Sequence, residues 1–332
     1  MFTGPRGASG SGVVFEGVEQ RLCLSSYSWP ALGGAAVADF TGDGLPDLFV
    51  RGQSGFEIVA AKNDGTFAAP VAVSGYSGGP FAAGNFAGSD ENADLLTFVR
   101  RKGLVVLPGD GKGGFGAAVT VSGVPKGMIT VADVNKDGNS DLLVQTMGRK
   151  GEINVLIGKG DGTFAAPLGS AISAPFSTIL ATGDFDGNGN ADILLKGLGW
   201  RRGTSLLSGN GDGTFNAATP VTGISGTLLA TAKFTATDGN TADQLLLQGK
   251  MQWWRIGRGR ARMRVPTYVI GTIKSGALST QNATNVAAWP VAAADFNGDG
   301  NADLLIGNRW SGLKVQLGVG DGSFKDPAAI TI

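Results

Sequence analysis

Histidine is missing from this 332-residue chain, and cysteine occurs once, as Cys23. The first absence removes the commonest general base and the commonest zinc ligand. The second excludes an intrachain disulfide. Neither sign of charge is in excess: 27 Lys and Arg stand against 27 Asp and Glu, so no global field favours nucleic acid. Tyrosine is confined to Tyr27, Tyr76 and Tyr268, and no acid–base pair for catalysis can be assembled from them. No apolar run approaches the roughly eighteen residues that read as a membrane span. The opening stretch "MFTGPRGASGSG" lacks the apolar core of a secretory signal.

Glycine, in contrast, is abundant at 56 residues, without a collagen period. That composition points to many tight turns and short strands. The stretch "ADFNGDGNADLLIG" (294–307) shows how they are used: oxygen-bearing side chains alternate with glycines, and an apolar run follows at once. The same text recurs as "DFTGDGLPD" (39–47), "NFAGSDENAD" (85–94), "DVNKDGNSD" (133–141), "DFDGNGNAD" (184–192) and "KFTATDGNTAD" (233–243). The starts of the six units lie 46, 48, 51, 49 and 62 residues apart. A second motif follows each loop: "NDGTF" (63–67), "GDGKGGF" (109–115), "GDGTF" (160–164 and 211–215) and "GDGSF" (320–324). In the fifth unit "GRGRARM" (257–263) stands in its place, and "TIKSGALSTQNATN" (272–285) reads as an inserted surface loop.

Each period holds four short apolar runs, enough for one antiparallel sheet. A lone sheet of this kind has two bare edges, and radial packing around an axis covers its faces. The expected fold is therefore all-β: a β-propeller of four-stranded antiparallel blades, with six visible repeats and six or seven blades. Residues 31–332 form the propeller. Residues 1–30 form an N-terminal segment that closes a blade, adds an extra strand or pairs with another chain as a homo-oligomer.

The loops carry the chemistry of a hard cation. Calcium takes about six to eight oxygen ligands, and loop glycines let the backbone curl around an ion. The candidate ligands are Asp39, Thr41, Asp43 and Asp47; Asp133, Asn135, Asp137, Asn139 and Asp141; Asp184, Asp186, Asn188, Asn190 and Asp192; and Asp295, Asn297, Asp299, Asn301 and Asp303. About three to four structural calcium sites are expected. The second loop is one residue longer and carries Asn85 and Ser89. The fifth begins with Lys233, whose ammonium would replace an ion. The plain alternative is a set of Asx-rich turns, since Asp, Asn and Gly dominate turns in general.

These loops and the "GDGTF" motif resemble the FG-GAP/VCBS repeat family over residues 30–332, a family that includes the integrin α-chain propeller and fungal and bacterial propeller lectins. The resemblance implies a propeller whose calcium ions staple the first turn of a blade without entering catalysis. It also implies a secreted or cell-surface setting.

Charge sorts by face. All acidic residues except Glu16, Glu19, Glu57, Glu152 and Asp326 fall in or beside the two motifs. The turns between second and third strands, read as 51–54, 100–103, 148–151, 199–203, 249–252 and 308–312, each hold Arg or Lys. Tryptophan joins that side. Trp253 aligns with the third-strand residues Glu57, Ser205 and Lys314, and Trp254 with core positions. Trp200, Arg201, Arg202, Trp253, Trp289, Arg309 and Trp310 are thus candidate ligand-binding residues. Tryptophan offers a flat face to a sugar ring, and arginine a fork of donors. The alternative is that these arginines keep strand ends soluble and the tryptophans plug gaps between blades. The expected function is a non-enzymatic binding module for a glycan or surface-protein ligand, lectin-like or adhesive. The competing readings are a self-assembling surface protein and a polysaccharide lyase. No nucleic acid, no membrane span and no catalytic residue are expected.

Overall fold

A computed structural model describes residues 14–17, 20–23, 36–52, 55–73, 80–88, 92–99, 102–169, 171–198, 203–235, 242–255, 262–308 and 312–330. Two strands, β1 (Val14–Gly17) and β2 (Gln20–Cys23), precede six four-stranded sheets. Blade 1 is β3 (Ala36–Ala38), β4 (Asp47–Arg51), β5 (Phe56–Val59) and β6 (Val71–Ala72). Blade 2 is β7 (Pro80–Gly84), β8 (Asp94–Val99), β9 (Gly103–Leu107) and β10 (Val119–Thr120). Blade 3 is β11 (Met128–Ala132), β12 (Asp141–Gln145), β13 (Glu152–Leu156) and β14 (Ile172–Ser173). Blade 4 is β15 (Ser177–Gly183), β16 (Asp192–Gly197), β17 (Thr204–Leu207) and β18 (Thr219–Val221). Blade 5 is β19 (Thr227–Ala232), β20 (Gln244–Arg255), β21 (Arg262–Lys274) and β22 (Ala277–Ala283). Blade 6 is β23 (Pro290–Ala294), β24 (Asp303–Asn308), β25 (Gly312–Gln316) and β26 (Ala328–Ala329). The fold is a six-bladed β-propeller, and the described residues contain no helix.

Every strand pairs with its sequence neighbour in antiparallel register, so each blade is built from one continuous segment. The first strands are innermost: β3 lies against β7, β11 against β15, β15 against β19 and β19 against β23. They are poor in bulk, as in "AVA" and "PVAAA", because six strands converge there. The hairpin of β1 and β2 belongs to none of the blades. Instead β1 runs against β7, β11 and β15, and β2 against β19 and β23, along the axis of the ring. The rest of residues 1–30 lies outside the described residues.

The two motifs hold blades together. The phenylalanine after the first loop residue is fully buried in Phe86, Phe185, Phe234 and Phe296. It meets the phenylalanine that ends the second motif of the next blade: Phe40 with Phe115 at 6.0 Å, Phe86 with Phe164 at 6.1 Å, and Phe234 with Phe324 at 6.4 Å between ring centroids. The backbone repeats the link. Gly113 donates to the Phe40 carbonyl at 3.0 Å, Gly162 to Phe86 at 2.9 Å and Gly213 to Val134 at 3.0 Å. A second set joins loop to loop, with Ala93 donating to the Asp39 carbonyl at 3.1 Å and Ser140 to Asn85 at 2.7 Å. Blade 1 carries Pro46 at the equivalent place, which has no N–H to offer.

Blade 5 corrects the sequence reading. Residues 249–252 do not turn. Strand β20 runs on to Arg255 past a register shift between Gln248 and Met251. Trp253 and Trp254 therefore belong to a second strand, paired with Arg264 and Met263, and not to a third. "GRGRARM" is not a third–fourth turn, since Arg262 and Met263 already open β21. That turn is Ser275–Gly276, both at positive φ (49° and 74°), as a tight hairpin needs. Segment 272–285 is not an inserted loop but the end of β21 and the strand β22. The single glycine at 249 is absorbed in a bulge, while the flanking apolar and aromatic residues keep the strand going.

Candidate cation loops and the opposite turn face

The acidic loops join first to second strands, and the second motifs join third to fourth. Antiparallel order puts both on one face of the disc and the second–third turns on the other. Blade 4 shows the loop geometry most fully. Asp184 takes the Gly187 N–H at 2.8 Å and the Gly189 N–H at 2.9 Å, one on each oxygen. Both glycines have left-handed φ, 82° and 80°. Asp186 accepts from the Asn188 N–H at 3.1 Å, and Asn188 from the Asn190 N–H at 2.7 Å. The Asn190 amide donates to the Gly209 carbonyl at 3.1 Å. A Cβ on Gly211 would fall 2.6 Å from Asn190 Oδ1, so the second motif needs glycine there. Asp192 accepts from Phe185 at 2.8 Å, Asp186 at 3.2 Å and Gly209 at 2.8 Å. One oxygen each of Asp184, Asp186 and Asp192 lie within 4.8 Å of one another.

Blades 3 and 6 are near copies with asparagine in place of Asp186. Asp133 takes the Lys136 and Gly138 N–H groups at 2.7 and 3.0 Å, and Asp295 those of Gly298 and Gly300 at 2.8 and 2.7 Å. Asn135 and Asn297 donate to Asp137 and Asp299 at 2.8 and 3.0 Å. Asn139 and Asn301 donate to the same aspartates at 3.1 and 3.0 Å. In blade 1 Asp39 takes Gly42 and Gly44, each at 2.7 Å. Asp43 takes Leu45 at 2.9 Å, and the Thr41 hydroxyl donates to Asp47 at 2.9 Å.

The last loop aspartate is an anchor in its own right. Asp47, Asp94, Asp141, Asp192 and Asp303 are fully buried. Each bridges the loop to the start of the second motif, as Asp141 does from Val134 (2.9 Å) to Gly158 (2.8 Å) and Asp303 from Phe296 (2.9 Å) to Gly318 (2.7 Å). Burial pushes the Asp141, Asp192 and Asp303 carboxyls up to about 7 and Asp47 to about 6, against hydrogen bonds that pull them down. Neighbouring loop carboxylates add to the rise.

Blade 5 fills the anchor position with Gln244, which opens β20 as the aspartates open their strands. Its carbonyl takes the Thr235 N–H at 2.8 Å, and its amide donates to the Thr235 and Thr272 hydroxyls at 2.5 and 3.1 Å. The sequence reading ended that loop one residue early, at Asp243. That carboxylate instead takes the Asp184 N–H of blade 4 at 2.8 Å. The start of β20, not loop composition, reveals the register. In blade 2 the Asn85 amide donates to the Gly138 carbonyl at 2.8 Å, and Ser89 lies outside the described residues.

The donor set of blade 4 fits a hard cation: three carboxylates converge, and glycines open the loop to an ion. Asp184, Asp186 and Asp192 would hold it. Blade 5 offers Lys233 and Gln244 where the loops of blades 1, 3, 4 and 6 offer acids.

Of the residues expected on the opposite face, Trp200, Arg201, Arg202, Arg309 and Trp310 lie outside the described residues. Trp289 is half-buried just before β23, and its carbonyl takes the Gly307 N–H at 3.2 Å. Arg51, Lys102, Arg149, Lys150 and Lys196 are exposed there, with Arg51 at 6.0 Å from the Phe56 ring centroid. Two residues escaped the sequence reading. Phe98 is 66 % exposed and Met147 48 % exposed, at the ends of the second strands of blades 2 and 3. Phe98 is the fifth residue of β8, where β4, β12 and β16 carry Arg51, Gln145 and Lys196. Lining up the second strands of the blades would have exposed it.

Residues 133–195 match the FG-GAP-like repeat and residues 287–323 the FG-GAP repeat. No curated protein matches the chain significantly in sequence. Among solved structures, an Agrocybe aegerita lectin described as specifically recognising non-reducing terminal N-acetylglucosamine is similar in fold, with a TM-score of 0.54 at 18 % identity. The similarity covers 98 % of this chain and 91 % of that one.

Proposed function

We propose that this chain, a propeller of FG-GAP repeats, is an extracellular, calcium-stabilised module that binds glycans and catalyses nothing. The observation that carries the reading is the likeness in fold to a lectin described as recognising a sugar, which covers 98 % of this chain and not one repeat. An exposed aromatic and exposed cations at the same face, Phe98 and Lys102 in blade 2 and Arg149 and Lys150 in blade 3, support it. An aromatic face stacks on the apolar side of a sugar ring, and the ammonium and guanidinium groups serve its hydroxyls and carboxylates. Six similar units also suit multivalent attachment, in which weak single sites add up through avidity.

Calcium has a supporting part in this reading. When bound, it would neutralise the loop carboxylates of blade 4 and favour the looped conformation over the unfolded chain. The chain's own residues prepare the place: Gly187 and Gly189 orient Asp184, and Asp192 ties the loop to Gly209. A glycan array run with calcium and with a chelator tests the proposal. Reproducible sugar hits that weaken on chelation support it. A blank array from a folded, calcium-loaded protein sinks the glycan reading.

A further inference from the structure

Blade 5 departs from the others in one way that neither closes the ring nor builds a loop. Its second and third strands are 12 and 13 residues long, while the second strands of the other blades have five or six. Strand β19 pairs with β20 only as far as Gln248, and β22 with β21 only as far as Tyr268. Beyond those points the described residues form a two-stranded ribbon, from Met251↔Pro266 to Arg255↔Arg262. Five residue pairs at about 3.3 Å each carry it about 15 Å past the turn face. A lone two-stranded ribbon is marginal in water, so an arm of this kind asks for a partner.

Its sequence names the partner's charge. Between Gln244 and Ala294 there is no Asp or Glu, in a chain otherwise balanced at 27 of each sign. The same stretch holds Lys250, Arg255, Arg258, Arg260, Arg262 and Arg264, with Trp253 and Trp254 among them. The pairing places Trp253 opposite Arg264 and Arg255 opposite Arg262. Cross-strand partners share a face, and so do residues two apart. Positions 253, 255, 262 and 264 therefore fall on one side of the ribbon, an aromatic and three guanidinium-bearing residues in a row.

We propose that this arm docks an acidic polysaccharide, a chain bearing sulfate or uronate groups. Guanidinium forks match such oxyanions, and an indole suits a pyranose ring. The inference rests on the glycan reading and narrows it to a substrate class. Repeated anions along a polymer match repeated cations along a ribbon better than a single neutral terminal sugar does.

The test uses the full chain and a variant carrying Arg255→Gln, Arg262→Gln and Arg264→Gln, with Lys62→Gln/Lys112→Gln, two exposed lysines on the opposite face, as a control. Probes are a sulfated oligosaccharide, an oligogalacturonate, a neutral chitooligosaccharide and single-stranded DNA of equal charge. The expected result is binding of the acidic oligosaccharides that weakens with salt and falls about tenfold or more in the arm variant. The control should lose less, and the melting temperature of the arm variant should not move. Acidic binding that the arm variant retains overturns the inference, as does DNA binding as tight as that of the acidic sugars. Neutral binding alone overturns the arm and leaves the glycan reading standing. Binding to none of the sugars overturns both.

Discussion

Phe296 of blade 6 meets Phe67 of blade 1 with ring centroids 5.7 Å apart, the same loop-to-turn pairing that Phe86 and Phe164 make between blades 2 and 3 at 6.1 Å. The ring thus closes by repeating its internal contact, with no strand exchanged across the seam. The buried core continues over the same joint, from Val37 and Leu48 to Leu305 and Val315. Each repeat supplies half of two contacts and is incomplete alone, as in other repeat architectures.

Replacing Phe296 by alanine should open this seam. The side chain is fully buried, so the expected cost is about 3–5 kcal/mol from lost burial and the cavity left behind. Hydrogen exchange should rise first in β3 and β23, the innermost strands on either side of the joint. Uniform loss of protection around all six blades would show that the seam is no weaker than the other joints.

The anchor aspartates give a second test, made in chelator to keep metal binding out of it. Asp303→Ala orphans the buried N–H groups of Phe296 and Gly318. Each orphaned donor costs about 1–3 kcal/mol. Gln244→Ala orphans the N–H of Thr235 together with two hydroxyl contacts that can turn to other partners. Denaturant melts should rank Asp303→Ala as the more damaging. Equal or reversed losses would refute the anchor role given to the aspartate.

Much of this was readable in the sequence because the repeat writes its contacts as fixed spacings. Six loops at near-even spacing pointed to six or seven blades, of which the structure has six; that the Phe of the loop and the final Phe of "GDGTF" form one joint is seen only in the structure. Blade 5 was misread because its punctuation differs in kind. Ser275–Gly276 makes a turn without the acidic motif, while Gly249 looks like a turn and is a bulge. Gln244 was passed over because an amide does not look like a carboxylate, although two threonine hydroxyls supply the acceptors its amide group needs. Phe98 escaped the sequence reading because local text does not say where a strand leaves the disc.

The second motif has its own acid response. Asp161 accepts from the N–H of Thr163 at 2.9 Å and from its hydroxyl, and these bonds hold the carboxyl below its usual 3.8. Asp64, Asp212 and Asp321 sit alike on Thr66, Thr214 and Ser323. A folded pKa below the unfolded one means the folded state binds fewer protons. Its contribution is therefore complete above 3.8 and lost as pH falls through the folded value. Thr163→Val removes the hydroxyl and keeps the N–H, so the Asp161 titration followed by carboxyl NMR should move up towards 3.8. A titration that does not move would show that the hydroxyl bond is not made in solution.

Phe98 separates a ligand platform from a packing residue. At 66 % exposure its truncation to alanine should change stability by less than about 0.5 kcal/mol. If the face around it holds sugar, the same change should weaken glycan binding measured by calorimetry. Unchanged binding would remove Phe98 from the site, and a large loss of stability would show that it packs in solution against a neighbour.

Calcium should raise the melting temperature, and blade 4 should be where the effect is most sensitive to mutation. At a hundredfold excess over the dissociation constant, one site adds about 2.7 kcal/mol. Asp186 discriminates best among the three converging carboxylates. It is exposed, and the one contact its side chain accepts in this loop is the Asn188 N–H. Asp184 and Asp192 each brace the backbone as well, so their loss would damage the metal-free fold too. Asp186→Asn should therefore melt like the parent protein in chelator and show a smaller rise when calcium is added. The residual rise would report the loops of blades 1, 3 and 6. Identical melting of parent and variant in both conditions would reduce the blade 4 cluster to an Asx-rich turn. A calcium effect that survives Asp186→Asn in full would place the ion elsewhere in the ring.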